Sequence, residues 1–237
     1  MLNLKALTRC YRFLAMLLLV AVSAYASGAG YVGSAQCASC HQGEFSAWQG
    51  SQHQQAMMKA DDDSVLATFD NVQRRLGKVT IQPFIKDGAY WLSETTEDGV
   101  NTTSKIDYTL GVYPLQQYMV RFDDGRMQLL PYAWDSRSEA EGGQRWYDLY
   151  PDFKAKDHAF NWRNNAQNWN LMCADCHSTH VKKNFDTASN TFNTTYSEMS
   201  VGCEACHGPG TEHLAAVKAG TVTSHSGLRN IGGQIDR

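Results

Sequence analysis

The chain has 237 residues, 43% of them hydrophobic, 11% aromatic and 19% charged, with a formal net charge of −3. A mean hydropathy of −0.43 excludes a polytopic membrane protein, the aromatic content excludes a disordered chain, and the mildly acidic balance offers no basic face for nucleic acid. Seven cysteines are the informative feature, because six of them fall into one repeated pattern.

Residues 1–26 read as a secretory signal peptide. Lys5, Arg9 and Arg12 form a basic head, Phe13 to Val22 an apolar core, and Ala24-Tyr25-Ala26 a small-x-small cleavage site. That core is too short to span a bilayer comfortably, so no transmembrane helix is expected after cleavage. Cleavage after Ala26 takes the net charge from −3 to −6 by removing three basic residues. It also removes Cys10, which leaves the other six cysteines in an exported, oxidising compartment.

Residues 27–70 carry the first motif, Cys37-Ala38-Ser39-Cys40-His41. The following segment, Gln42 to Ala60, reads as one helix, with Phe45, Trp48, His53, Ala56 and Ala60 on a broad apolar arc. Met57, one turn after His53, reads as core filler or as a rival sulfur ligand.

Residues 71–150 read as a β-rich insert. Val79 to Ile85, Ala89 to Thr95, Val100 to Leu110, Leu115 to Phe122 and Met127 to Trp134 are β-branched or aromatic runs. Lys86-Asp87-Gly88, Glu97-Asp98-Gly99 and Asp123-Asp124-Gly125-Arg126 between them are hairpin-turn chemistry. The expectation is one small antiparallel sheet, with Pro83, Pro114 and Pro131 at edge or terminal positions. A scaffold role for it is preferred to a substrate platform.

Residues 151–237 hold the other two motifs, Cys173-Ala174-Asp175-Cys176-His177 and Cys203-Glu204-Ala205-Cys206-His207. Aromatics from Trp146 to Trp169 precede them and suit either a cofactor surface or an ordinary core. Gly208-Pro209-Gly210 must break the third motif's turn, and a short helix, Glu212 to Ala219, follows and stops at Gly220.

All three motifs are C-x-x-C-H, the pattern of covalent c-type haem attachment. Two thiols two residues apart lie on one side of a helical turn and can add to the two vinyl groups of one haem. The next residue then offers an imidazole to the iron, which makes His41, His177 and His207 the proximal candidates. Disulfides, a four-cysteine zinc site from Cys173, Cys176, Cys203 and Cys206, and a thioredoxin-like pair are the competing readings. None of them explains a histidine after every second cysteine.

Five histidines remain for the far side of the irons: His53, His158, His180, His213 and His225. His180 and His213 follow their own motifs too closely to wrap round the same haem, so each would serve a neighbouring one. His53, His213 and His180 are the leading candidates. His158 lies in an aromatic run and His225 in a polar tail, where either is equally satisfied as a packed or solvated residue.

These residues carry a resemblance. Tyr31-Val32-Gly33-Ser34, Trp48-x2-Ser51-x-His53-x2-Ala56-Met57, Trp169-Asn170-x-Met172-Cys173 through Thr179, and Cys203-Glu204-x-Cys206-His207-Gly208-Pro209-Gly210-x2-His213 resemble the cytochrome c-552/4 family. The resemblance implies a periplasmic multihaem cytochrome that transfers electrons through closely packed, mostly bis-histidine haems. It places His53 and His213 in distal-ligand positions. Such domains commonly bind four haems and some are fused to tetratricopeptide repeats; three motifs and an end at Arg237 suggest a truncated member, with His225 or His158 left over from a fourth haem.

The expected fold class is α+β, with short haem-bearing helices at both ends and the β insert between. With three haems standing in for core, the haem-free chain is expected to fold poorly. Two functions follow. One is an electron carrier between redox protein donors and acceptors, a membrane quinol-oxidising system among them. The other is a reductase or oxidase of a small nitrogen or sulfur species at a five-coordinate haem. Five spare histidines against three irons favour the carrier.

Overall fold

The computed structural model describes residues 30–223 and 226–228. The expected signal peptide and His225 lie outside the described residues. The first segment supplies helices α1 (Ser34–Cys37) and α2 (Gln42–Trp48) and strand β1 (Met57–Lys59). Strands β2 (Arg74–Leu76), β3 (Val79–Lys86), β4 (Ala89–Thr96) and β5 (Asn101–Lys105) form a four-stranded antiparallel sheet in sequence order. Strands β6 (Tyr108–Leu110), β7 (Leu115–Arg121), β8 (Met127–Asp135) and β9 (Arg145–Asp148) join β1 in a second sheet, ordered β1-β6-β7-β8-β9. Short helices α3 (Trp169–Met172) and α4 (Ala174–His177), a hairpin of β10 (Phe185–Asp186) and β11 (Thr191–Phe192), and helices α5 (Cys203–His207) and α6 (Thr211–Ala219) complete the α+β architecture.

The hairpin turns lie where their residues predict them, at Asp87-Gly88 between β3 and β4 and at Gly125 between β7 and β8, with both glycines in the left-handed region. Strand β3 buries alternate residues, Val79, Ile81 and Pro83, as a one-face-buried strand should. Strand β8 is buried along its whole length because it sits between β7 and β9 and is covered on both faces.

The single expected sheet is two. The run from Val100 to Leu110 does not form one strand. Ile106 still donates its N–H to the Tyr90 carbonyl at 2.8 Å, while Asp107 donates to Met119 at 2.9 Å. The chain therefore passes from one sheet to the other between those two residues, and the apolar pattern is continuous across the crossing.

The helix expected over Gln42 to Ala60 ends at Trp48. Gly50 takes φ 72°, and its N–H and C=O are held by the Gln54 and Gln55 side chains at 2.6 and 2.7 Å. Three residues beyond the turn, Met57 to Lys59 pair with Leu110 to Tyr108. The apolar periodicity of the segment is real, but sheet pairing captures its second half.

Pro83 and Pro131 lie inside interior strands rather than at sheet edges. At Pro83 the neighbour β2 has already ended, and the Pro83 carbonyl accepts from Asn71 instead, at 2.9 Å. Pro131 falls where the β7–β8 register shifts, between the pairs Met119–Leu129 and Gln117–Ala133. A missing N–H is tolerated at such a bulge. Pro114 directly precedes β7, as expected of a terminal position.

Two apolar cores result. One lies between the sheets and gathers Ile81, Leu92, Ile106, Tyr118, Leu130, Tyr132, Trp134, Trp146 and Trp162. It contains no residue of the C-x-x-C-H motifs, so poor folding without haem is an expectation for the attachment segments and not for this core. The other joins the second sheet to the second motif through Met57, Leu110, Met119, Met127, Leu129, Trp169 and Ala174.

Candidate haem-attachment sites

Each C-x-x-C-H segment closes a helical turn. The His41 N–H donates to the Cys37 carbonyl at 2.9 Å and the His177 N–H to that of Cys173 at 3.1 Å. In the third motif Gly208 donates to Glu204 at 3.0 Å and, with φ 83°, ends α5. All six thiols are free; Cys40, Cys176 and Cys206 are exposed and the first cysteine of each motif is partly buried. Among the described residues no three His, Cys, Asp or Glu side chains converge on a point that could hold an ion. The described cysteines are thus not gathered into one four-thiol cluster.

Burial, and then the adjacent Cys203 thiol, push the Cys37 thiol up to about 11. Burial likewise raises Cys173. The first and third motifs meet at their leading cysteines, where the Cys37 and Cys203 thiols are hydrogen-bonded.

The histidines differ in how their rings are held. His177 Nδ1 lies 3.2 Å from the Ala56 carbonyl, an acceptor only. Nδ1 therefore carries the proton and Nε2 is left free for a metal, as in imidazole ligands whose other nitrogen donates to a carbonyl. His180, with φ 54°, places Nδ1 2.9 Å from Ser197 Oγ and stacks on Tyr31 at 3.8 Å. The rings of His41 and His213 lie with their centres 6.3 Å apart and their planes tilted by 33°. His53 is exposed in the turn after α2, and its carbonyl accepts from Val201 at 3.1 Å. His158 stacks on Phe153 at 4.4 Å while its Nδ1 accepts the Phe160 N–H at 3.1 Å. Met57 is 1% exposed in the core below the second sheet, with Ser178 Oγ 3.7 Å from its sulfur.

Beside Cys173 and His177 opens a cavity of about 480 Å³. Leu110, Leu129, Tyr150, Phe153, Phe160 and Ala166 give it an apolar wall, to which Gln117 and Gln167 add two carboxamides. An apolar chamber reached by a free thiol and an imidazole with an open Nε2 fits a covalently held haem, whose ring faces need apolar cover.

What assembles the three motifs was not apparent from their spacing. Glu204, 2% exposed inside the third motif, accepts from the backbone N–H groups of Val32 at 2.9 Å, Gly33 at 2.7 Å and Gly210 at 2.7 Å. Glu198 accepts from Ser34 N at 3.0 Å and Ser34 Oγ at 2.8 Å, and that hydroxyl oxygen accepts from Cys203 N at 2.9 Å. From the second motif, Ser178 and Thr179 donate to the carbonyls of Met199 and Ser200 at 2.6 and 2.8 Å. Trp48 Nε1 donates to Val201 at 2.9 Å. Residues 198–202 are therefore a strip on which all three motifs dock. A side chain at Gly202 would run into the Glu198 carboxylate and Ser34 Oγ, which is why the strip ends in glycine. The one signal in the sequence was the acid inside Cys203-Glu204-Ala205-Cys206, a position where a solvent-facing charge would be the ordinary expectation.

Three helical turns, each presenting two free thiols and a following imidazole around a common strip, define a c-type cytochrome, a carrier of covalently bound haem c that exchanges electrons with redox protein partners. The family described as cytochrome c554 and c-prime matches residues 36–78 and 133–208, half of the chain, and the chain belongs to that family. No curated protein and no solved structure matches it. Among the described residues no helix is long and apolar enough to cross a membrane.

Proposed function

We propose that this cytochrome carries three haems, bound through Cys37 and Cys40, Cys173 and Cys176, and Cys203 and Cys206, with His41, His177 and His207 as proximal ligands. His213 is the distal ligand of the iron held by His41. The observation that carries the reading is their separation of 6.3 Å between ring centres. Two metal–imidazole bonds of about 2 Å each, plus half of each ring, account for a gap of about 6 Å. His180, oriented by Ser197, and His53, free at its ring, are the remaining distal candidates. The protein acts as a relay, passing single electrons between a membrane quinol-oxidising system and a terminal redox partner. The signal-like N-terminus supports export to the periplasm, where haem attachment of this type and the six free thiols are compatible.

A second reading, a haem-dependent reductase, has one observation in its favour. Among the described residues lining the cavity beside His177 there is no other histidine.

The test is a haem count and a spectrum of the exported protein. Intact mass and pyridine haemochrome should report three haems, and each Cys-pair to Ala variant should lose one. A c-type spectrum unmoved by carbon monoxide supports the relay; a carbon monoxide shift moves the second reading ahead. A protein with no Soret band would overturn both.

A further inference from the structure

The stretch outside the family match, residues 79–132, reaches into the second attachment site. Gln117 on β7 lines the cavity beside Cys173 and His177, and Gln167, from the turn before α3, lines it too. Gln117 Nε2 is buried with no hydrogen-bond partner among the described residues. Gln167, 7% exposed, brings a second carboxamide to the wall of the same cavity. A buried amide N–H without an acceptor is penalised by its lost hydration, so the Gln117 amide calls for an acceptor, and the Gln167 carboxamide lines the cavity where one would sit. Haem offers acceptors of that kind in its two carboxylates; the rest of its edge is apolar. No Lys or Arg lines the cavity to pair with those carboxylates instead.

We propose that Gln117 and Gln167 donate hydrogen bonds to the carboxylate edge of the haem carried by Cys173 and Cys176, so that the inserted sheet sets the reduction potential of that one haem. This rests on haem binding at the second site. Hydrogen bonds to the carboxylates draw negative charge away from the ring and disfavour the ferric state. Without them the charge acts fully on the iron, and the potential falls.

The experiment is an optical redox titration of the holoprotein beside Gln117→Leu, Gln117→Glu and Gln167→Leu, each with its haem content measured first. The expected result is full haem content with one midpoint lowered. The shift is on the order of tenfold in the oxidised-to-reduced ratio, about 59 mV, and larger for Gln117→Glu, which adds a charge. The other midpoints stay in place. Unchanged midpoints in all three fully loaded variants would overturn the proposal. So would a variant that instead gains or loses carbon monoxide binding, since the amide would then face the iron. A parent protein lacking haem at Cys173 and Cys176 would remove the underlying reading, and the haem count shows this before any potential is measured.

Discussion

The imidazole rings of His41 and His213 lie with their centres 6.3 Å apart and their planes tilted by 33°, although nearly the whole described chain separates the two residues. Their meeting follows from the carboxylate clamp. Glu204 and Glu198 tie the backbone from Val32 to Ser34 onto the third motif, which brings α1 and the turn after it beside α6. One gap between two imidazoles is thus a property of the assembled motifs and of no single one.

Replacing one of the two should open one iron. His213→Ala is expected to keep full haem content, to convert one low-spin haem to high-spin, and to make about one third of the Soret intensity carbon monoxide-sensitive. Paramagnetic resonance and carbon monoxide difference spectra check this. A variant spectrum identical to the parent in both would show that His213 binds no iron.

Glu204→Ala should be among the most destabilising single changes. It strips the acceptor from the N–H groups of Val32, Gly33 and Gly210 and is expected to cost about 3–5 kcal/mol. Glu204→Gln, which keeps one oxygen, should lose less. Thermal unfolding of the holoprotein measures the loss, and proteolysis near Gly33 should locate it. A melting temperature unchanged in the Ala variant would contradict the clamp.

In the reduced, haem-free chain, Cys37 should alkylate slowly wherever the first motif stays docked on the third, since that burial and the Cys203 contact are what raise its pKa. Its pKa is raised to about 11, so the thiol stays neutral at pH 8, where about one in a thousand is thiolate. The rate should climb about tenfold per pH unit until it levels off near the pKa. Peptide mapping after timed iodoacetamide exposure, with the exposed Cys40 as internal comparison, reads this directly. Equal labelling of the two at pH 8 would rule it out.

Removing all six attachment cysteines should divide the molecule. The core between the sheets holds Ile81, Leu92, Tyr118, Tyr132 and Trp146 and no attachment residue. Far-ultraviolet dichroism should therefore keep its β signature, while hydrogen exchange loses protection around residues 173–207. Loss of the sheet signal together with the rest would mean that the haems support this core as well.

The sequence by itself determined what depends on neighbours along the chain. The C-x-x-C-H turns, the hairpins at Asp87-Gly88 and Gly125, and strands β3, β4, β7 and β8 all follow from local spacing and turn chemistry. The α6 stop at Gly220 does too. Tertiary structure alone decided the rest. It moved Met57 from a helix into a sheet edge and split one apolar run between two sheets at Ile106 and Asp107. It also turned Glu204, an acid that local pattern would leave in water, into the acceptor that fastens one motif to another. The physical reason is range. Periodicity and turns are short-range preferences, whereas sheet partners, neighbouring imidazoles and buried acceptors are chosen by groups far away in sequence that must satisfy each other once water is excluded.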